Sequence, residues 1–159
     1  MIVADAGPII AYARIGRLDL LRQVVGELVI PDAVFQELTG QGHERPGAAE
    51  VTNAAWIWRH AVSDQAAVDR LPRVLHRGER EAIVLAQELG AQLLIDEQRG
   101  RNMAAGRGVE VVGSLLILAD AKRLGFIDQT KPLLDAIVAA GYWIDEELIR
   151  PFLHDQGED

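Results

Sequence analysis

Asp5, Asp96 and Ser114 each stand where a short apolar run stops: after Ile2-Val3-Ala4, after Leu93-Leu94-Ile95, and just beyond Val111-Val112. Such runs suit strands buried on both faces, and in open α/β sheets ligands gather at the carboxyl ends of the strands. Each of the three residues also suits simple capping of the helix that follows. Their recurrence at successive strand ends weighs toward chemistry. Glu79 adds to the pattern. In the stretch Glu79 to Leu89 the stripe Ala82, Ile83, Ala86 faces the core, and Glu79 precedes it on the same face. The backbone dipole at a helix start would also welcome it. Glu81 lies off the stripe and reads as a surface charge. Glu37, one tight turn after Val34, reads by itself as solvent-facing.

Carboxylates gathered at one edge repel one another and stay ionised only with a partner. The usual partner is a hard divalent cation with oxygen ligands, Mg²⁺ or Mn²⁺. Such ions polarise a phosphodiester and lower the pKa of bound water. Acids at strand ends therefore suit metal-dependent phosphoryl chemistry, and equally suit plain metal binding.

The elements that must position these residues follow from apolar spacing and from Gly and Pro. Ile2–Ala4 and Leu28–Ile30 read as strands, with helical spacing from Ile9 to Val25 broken at Gly16. Pro31 opens a helix to about Leu38, ended by Gly40 and Gly42. Gln41 to Pro46 is a polar surface loop. A helix from about Gly47, a strand near Trp56 to Val62, and a short helix from Asp64 to Leu71 come next. The helix Glu79 to Leu89, introduced by Gly78 and closed by Gly90, leads to the strand Gln92–Ile95. A basic helix from Glu97 to about Ala105, a strand Val109–Val112 and a helix Leu115–Leu124 follow. Helices near Leu133–Ala140 and Asp145–Leu153 end the chain. Strands alternating with helices imply a parallel sheet covered on both faces.

The 159 residues, 49% apolar and 25% charged, fit one domain with a sizeable core. No run is long enough to span a membrane. Cysteine is absent, which excludes disulfides, Cys-zinc sites and thiol catalysis. MIVADAGPII lacks the basic opening of a secretory signal, so a soluble cytoplasmic protein is expected. Net charge is −8, of which −5 falls on an acidic segment at about 145–159. The four histidines are scattered with no zinc-binding pair, and neither a P-loop nor a G-x-S-x-G elbow is present. Trp56 and Trp58 alternate around Ile57; core or dimer burial is their first reading, base stacking the second.

Taken in order, VADAGPIIAYARIGRLDLL, VIPDAVFQEL, GEREAIVLA, LLIDEQRGR and VEVVGSLLIL resemble the PIN domain. The likeness is closest to the branch that carries an AK-x-x-G-x-I segment, here Ala121 to Ile127, and continues through KPLLDAIVAAGYWIDEEL. The resemblance implies a single PIN-like domain over 1–159: a three-layer α/β/α sandwich around a mainly parallel sheet, with a Mg²⁺- or Mn²⁺-dependent nuclease site. It assigns Asp5, Glu37, Glu79 and Asp96 as catalytic metal ligands and Ser114 as a supporting hydroxyl, with Glu97 as an extra ligand or an acid of the first helical turn. PIN domains often carry Ser or Thr where this chain has Gly7, so a hydrogen bond at the site is expected to be absent or replaced by water.

Many small prokaryotic relatives resemble VapC-type toxins, which implies RNA as substrate, a small antitoxin protein as partner and a homodimer. Arg99, Arg101 and Arg107 follow Asp96 closely and are weaker candidates for RNA contact; a solvated basic face explains them as well. Two other functions remain open at this level. One is a catalytically weak PIN-fold module that binds nucleic acid or protein, and the other is a phosphohydrolase of small phosphate esters.

Overall fold

Five short apolar runs form one parallel sheet: β1 (Ile2–Ala4), β2 (Leu28–Ile30), β3 (Ile57–Arg59), β4 (Gln92–Leu94) and β5 (Val111–Val112). The computed structural model describes residues 1–40 and 45–159. The expected loop from Gln41 to Pro46 falls largely outside the described residues, as does His43. Strand order is β3-β2-β1-β4-β5, all parallel. The chain builds outward from β1 through β2 to β3, then returns to the other side of β1 for β4 and β5. That reversal sets β1 beside β4, with Ala4 opposite Leu94, at the kind of switch point where α/β sheets bind ligands.

Both faces of the sheet are covered. Ala4, Leu28, Ile30 and Leu94 face a core that includes Ile9, Tyr12, Leu20, Leu21, Leu118 and Ile137. It is supplied by α1 (Ala6–Arg14), α2 (Leu18–Val25), α3 (Asp32–Thr39), α4 (Ala48–Asn53), α8 (Ser114–Arg123) and α9 (Lys131–Ala139), with α10 (Glu146–Asp155) packed on its edge. Val3, Val29, Leu93 and Ile95 face the opposite way, toward Val68, Leu75, Ile83 and Leu85. That layer comes from α5 (Gln65–Arg70), α6 (Arg77–Leu89) and α7 (Gln98–Gly106). Alternation along each strand thus serves two cores, as the near-continuous apolar runs require. The result is the expected α/β/α sandwich with a parallel sheet.

Several boundaries differ from the sequence reading for local reasons. Pro31 stands just before α3 rather than within its first turn. Helix α6 begins at Arg77, two residues early, because Glu79 reaches back to accept from the His76 N–H at 2.7 Å. Glu81 is not a surface charge. It is buried, and its carboxylate accepts from Ala33 N–H in the first turn of α3 and from Arg77 Nε. A long-range partner thus satisfies a helix start that has no capping side chain of its own. Trp56 is half-buried just ahead of β3 while Trp58 is 55% exposed, so the two tryptophans do not share one environment. Among the described residues no helix is long and apolar enough to cross a membrane.

The acidic end of the chain is not simply solvated. Glu158 accepts from Thr130 N–H, Thr130 Oγ1, Lys131 N–H and Lys122 Nζ at 2.7 to 3.1 Å, which caps the start of α9. Burial opposes its charge, yet these donors outweigh burial and hold the carboxyl down at about 2.

Candidate active site

Adjacent parallel strands bring Asp5 and Asp96 to one edge. Asp5 N–H donates to the Leu94 carbonyl at 3.0 Å, which fixes its backbone beside the end of β4. Asp96 lies two residues past that strand. The next strand in the order, β5, delivers Ser114: its N–H donates to Asp96 Oδ1 at 2.7 Å and its hydroxyl to Asp96 Oδ2 at 2.5 Å. Behind it the fully buried Tyr12 hydroxyl donates to the Ser114 carbonyl at 2.9 Å and anchors the first turn of α8.

Helices α3 and α6 supply the glutamates. A Cβ placed on Gly78 would lie 3.0 Å from Glu37 Oε2 and 3.7 Å from Asp5 Oδ1, so both carboxylates flank that one backbone position. Glu37 is thus exposed on its own helix and still turned toward Asp5. Glu79 is buried, with Oε2 on the His76 amide and Oε1 toward Gly100 of α7. The charges act on one another. Burial first, then Glu79, and less strongly Glu37 and Asp96, push the Asp5 carboxyl up to about 7, against a hydrogen bond from Ala6 N–H. Burial also raises Glu79; Glu97 and Glu37 add to this, while the His76 amide and ring hold it back. Glu97 is exposed, but its charge reaches Glu79.

Asp5, Glu37, Glu79, Asp96, Ser114 and Glu97 therefore meet at one edge. The arginines do not. Arg101 donates to the Ile95 carbonyl at 2.8 Å, and its Nη1 and Asp96 Oδ1 both border Gly113, which places it at the rim. Arg99 and Arg107 border a groove of about 450 Å³ along α7 with Val74, Leu75 and Met103. Arg107 follows the far end of α7, and there its Nε donates to Gln87.

One member of the site was not foreseen. Tyr142 donates its hydroxyl to Asp96 Oδ2 at 2.5 Å. It gets there because α9 ends on Gly141 at φ +94°, with Tyr142 N–H returning to the Ile137 carbonyl. This is a glycine-dependent helix stop that turns the chain back toward the sheet edge. A Cβ on Gly7 would stand 2.9 Å from the Tyr142 oxygen. The phenol oxygen of Tyr142 thus lies in the space beside Gly7. The sequence signal was the pairing of a bare Gly7 with a tyrosine directly after a helix-ending glycine.

The donor set is entirely oxygen and carries more negative charge than it neutralises, which fits a hard divalent cation. Three of the roughly four acceptor positions of Asp96 are taken, leaving one on Oδ1. Among the described residues no three carboxylates converge into a ready coordination sphere.

The sequence model of the DUF3368 family, described as a PIN domain, matches residues 1–158. No curated protein matches the chain significantly. Among solved structures it is similar to a PilT N-terminus domain protein, SSO1118, from the hyperthermophilic archaeon Sulfolobus solfataricus P2. The TM-score is 0.55 at 18% identity, covering 76% of this chain and 93% of that one. At that identity the likeness speaks for the fold alone. With the family match spanning nearly every residue and the strand-end acids in place, the chain belongs to the PIN-domain family, whose members are generally metal-dependent nucleases.

Proposed function

We propose that this protein is a metal-dependent endoribonuclease that hydrolyses RNA phosphodiester bonds. The observation that carries the reading is that Asp5, Glu37, Glu79 and Asp96 share the β1–β4 edge, where burial first, and then the neighbouring acids led by Glu79, push the Asp5 carboxyl up to about 7. These four side chains would hold one or two Mg²⁺ or Mn²⁺ ions. Bound there, such an ion supplies electrophilic activation of the phosphodiester and of the attacking water.

The chain's own residues bind and orient. The His76 amide fixes one oxygen of Glu79, Ser114 grips both oxygens of Asp96, and Asp5 is locked to the end of β4 by its backbone. Arg101, tied to the Ile95 carbonyl, sets a guanidinium at the rim where an approaching phosphate can be gripped. RNA as the substrate, a toxin role with a small antitoxin partner, a homodimer and a cytoplasmic setting all belong to this proposal and rest on the family resemblance.

The test presents purified protein with labelled single-stranded RNA, the same sequence as DNA, and nitrophenyl phosphate, each with Mg²⁺, Mn²⁺ or EDTA. Internal cleavage of RNA that leaves 5′-phosphates, and stops in EDTA, is the expected result. Turnover of nitrophenyl phosphate with intact RNA would replace this reading with a small-ester phosphohydrolase.

A further inference from the structure

Asp96 is gripped by Ser114, its neighbour at the end of β5, and also by Tyr142, which lies 46 residues away. Two hydroxyls converge on Oδ2, so that oxygen is saturated, and the remaining acceptor position is confined to Oδ1. Gly7 leaves the phenol oxygen the room it needs, since any β-carbon there would approach to 2.9 Å. Tyr142 is partly buried, and the stop at Gly141 fixes its backbone. We infer that Tyr142 is a positioning residue for Asp96, turning the carboxylate so that Oδ1 faces a cation, and that Gly7 is the space reserved for its hydroxyl. The role is orientation through a hydrogen bond. The phenol keeps its proton throughout.

The inference deepens the nuclease reading of the same site, so its test has one arm that does not depend on turnover. Mn²⁺ affinity is measured by calorimetry on the full chain, alongside kcat and KM for RNA cleavage and the melting temperature. Removing a partner that orients a metal ligand typically costs about 10- to 100-fold in metal affinity or activity. Tyr142→Phe is expected to lose Mn²⁺ affinity and kcat to that extent, with KM for RNA and the melting temperature little changed. Gly7→Ala is expected to give the same loss, because the new methyl pushes the flexible phenol off Asp96 while the helix gains a better former. A hydrogen bond can be lost only once, so the double variant is expected to be no worse than Tyr142→Phe alone.

Wild-type Mn²⁺ affinity in Tyr142→Phe would overturn the inference. So would a Gly7→Ala loss that adds in full to that of Tyr142→Phe, or a wild-type protein that binds no Mn²⁺ at all. If wild type binds Mn²⁺ but cleaves no RNA, the nuclease reading fails, and the calorimetric cycle still decides the role of Tyr142.

Discussion

Asp5 is where burial and charge crowding meet most sharply. Its carboxyl is raised from 3.8 to about 7 by burial and by Glu79, Glu37 and Asp96. Below about pH 4 the folded and unfolded chains both hold this proton; as pH rises toward about 7 only the unfolded chain gives it up, so stability falls across that window and no further above it. Glu79, also raised, adds with the same sign. Metal-free protein is expected to melt at progressively lower temperature between those pH values. Asp5→Asn should flatten the decline and melt at neutral pH at or above the wild-type temperature. An unchanged pH slope in that variant would mean Asp5 is not the crowded group. Asp5 and Asp96 were legible from the ends of apolar runs. Glu37 was not, because its periodicity points outward and only the approach of α3 to α6 brings it to Asp5.

At the scale of elements, strand ends and glycine stops were readable because each is a local rule: an apolar run, then an acid or a Gly. What escaped were side chains whose partners lie far away in sequence. Glu81 looked solvated because no neighbour in its own helix shows that it closes the start of α3. Glu158 looked like part of an acidic tail, yet it closes the start of α9. Its carboxyl sits at about 2, well below 4.5, so its contribution to stability is complete above about pH 4.5 and is lost as pH falls toward 2. Hydrogen bonds to charged groups contribute roughly 1.5–3 kcal/mol each to stability. Glu158→Gln is expected to destabilise by about 1–3 kcal/mol in denaturant unfolding at neutral pH. The difference from wild type should shrink in acid, and a variant as stable as wild type at neutral pH would remove Glu158 as the cap of α9.

At the scale of the whole molecule, the order β3-β2-β1-β4-β5 makes the site. It sets the first and fourth strands side by side, so acids 91 positions apart in the chain share one edge. The parallel sheet was legible from the alternation of strands and helices. The strand order was not, since apolar spacing does not say which strands are neighbours. The same order leaves the β1–β4 edge open to the segment after α9, which is how Tyr142 completes a site whose other members lie before Leu115. A net charge of −8 disfavours a phosphate backbone as partner unless the acids at this edge are neutralised.

On the proposed function, this acidic edge is a metal-dependent nuclease centre. Its most direct test is cleavage of labelled RNA by wild type, Asp5→Asn and Asp96→Asn, purified in parallel and assayed with Mn²⁺, Mg²⁺ and EDTA. Metal-dependent cleavage by wild type, lost in both folded variants, is the predicted result. Undiminished cleavage by Asp5→Asn would contradict it, as would a folded wild-type protein that cleaves under no condition.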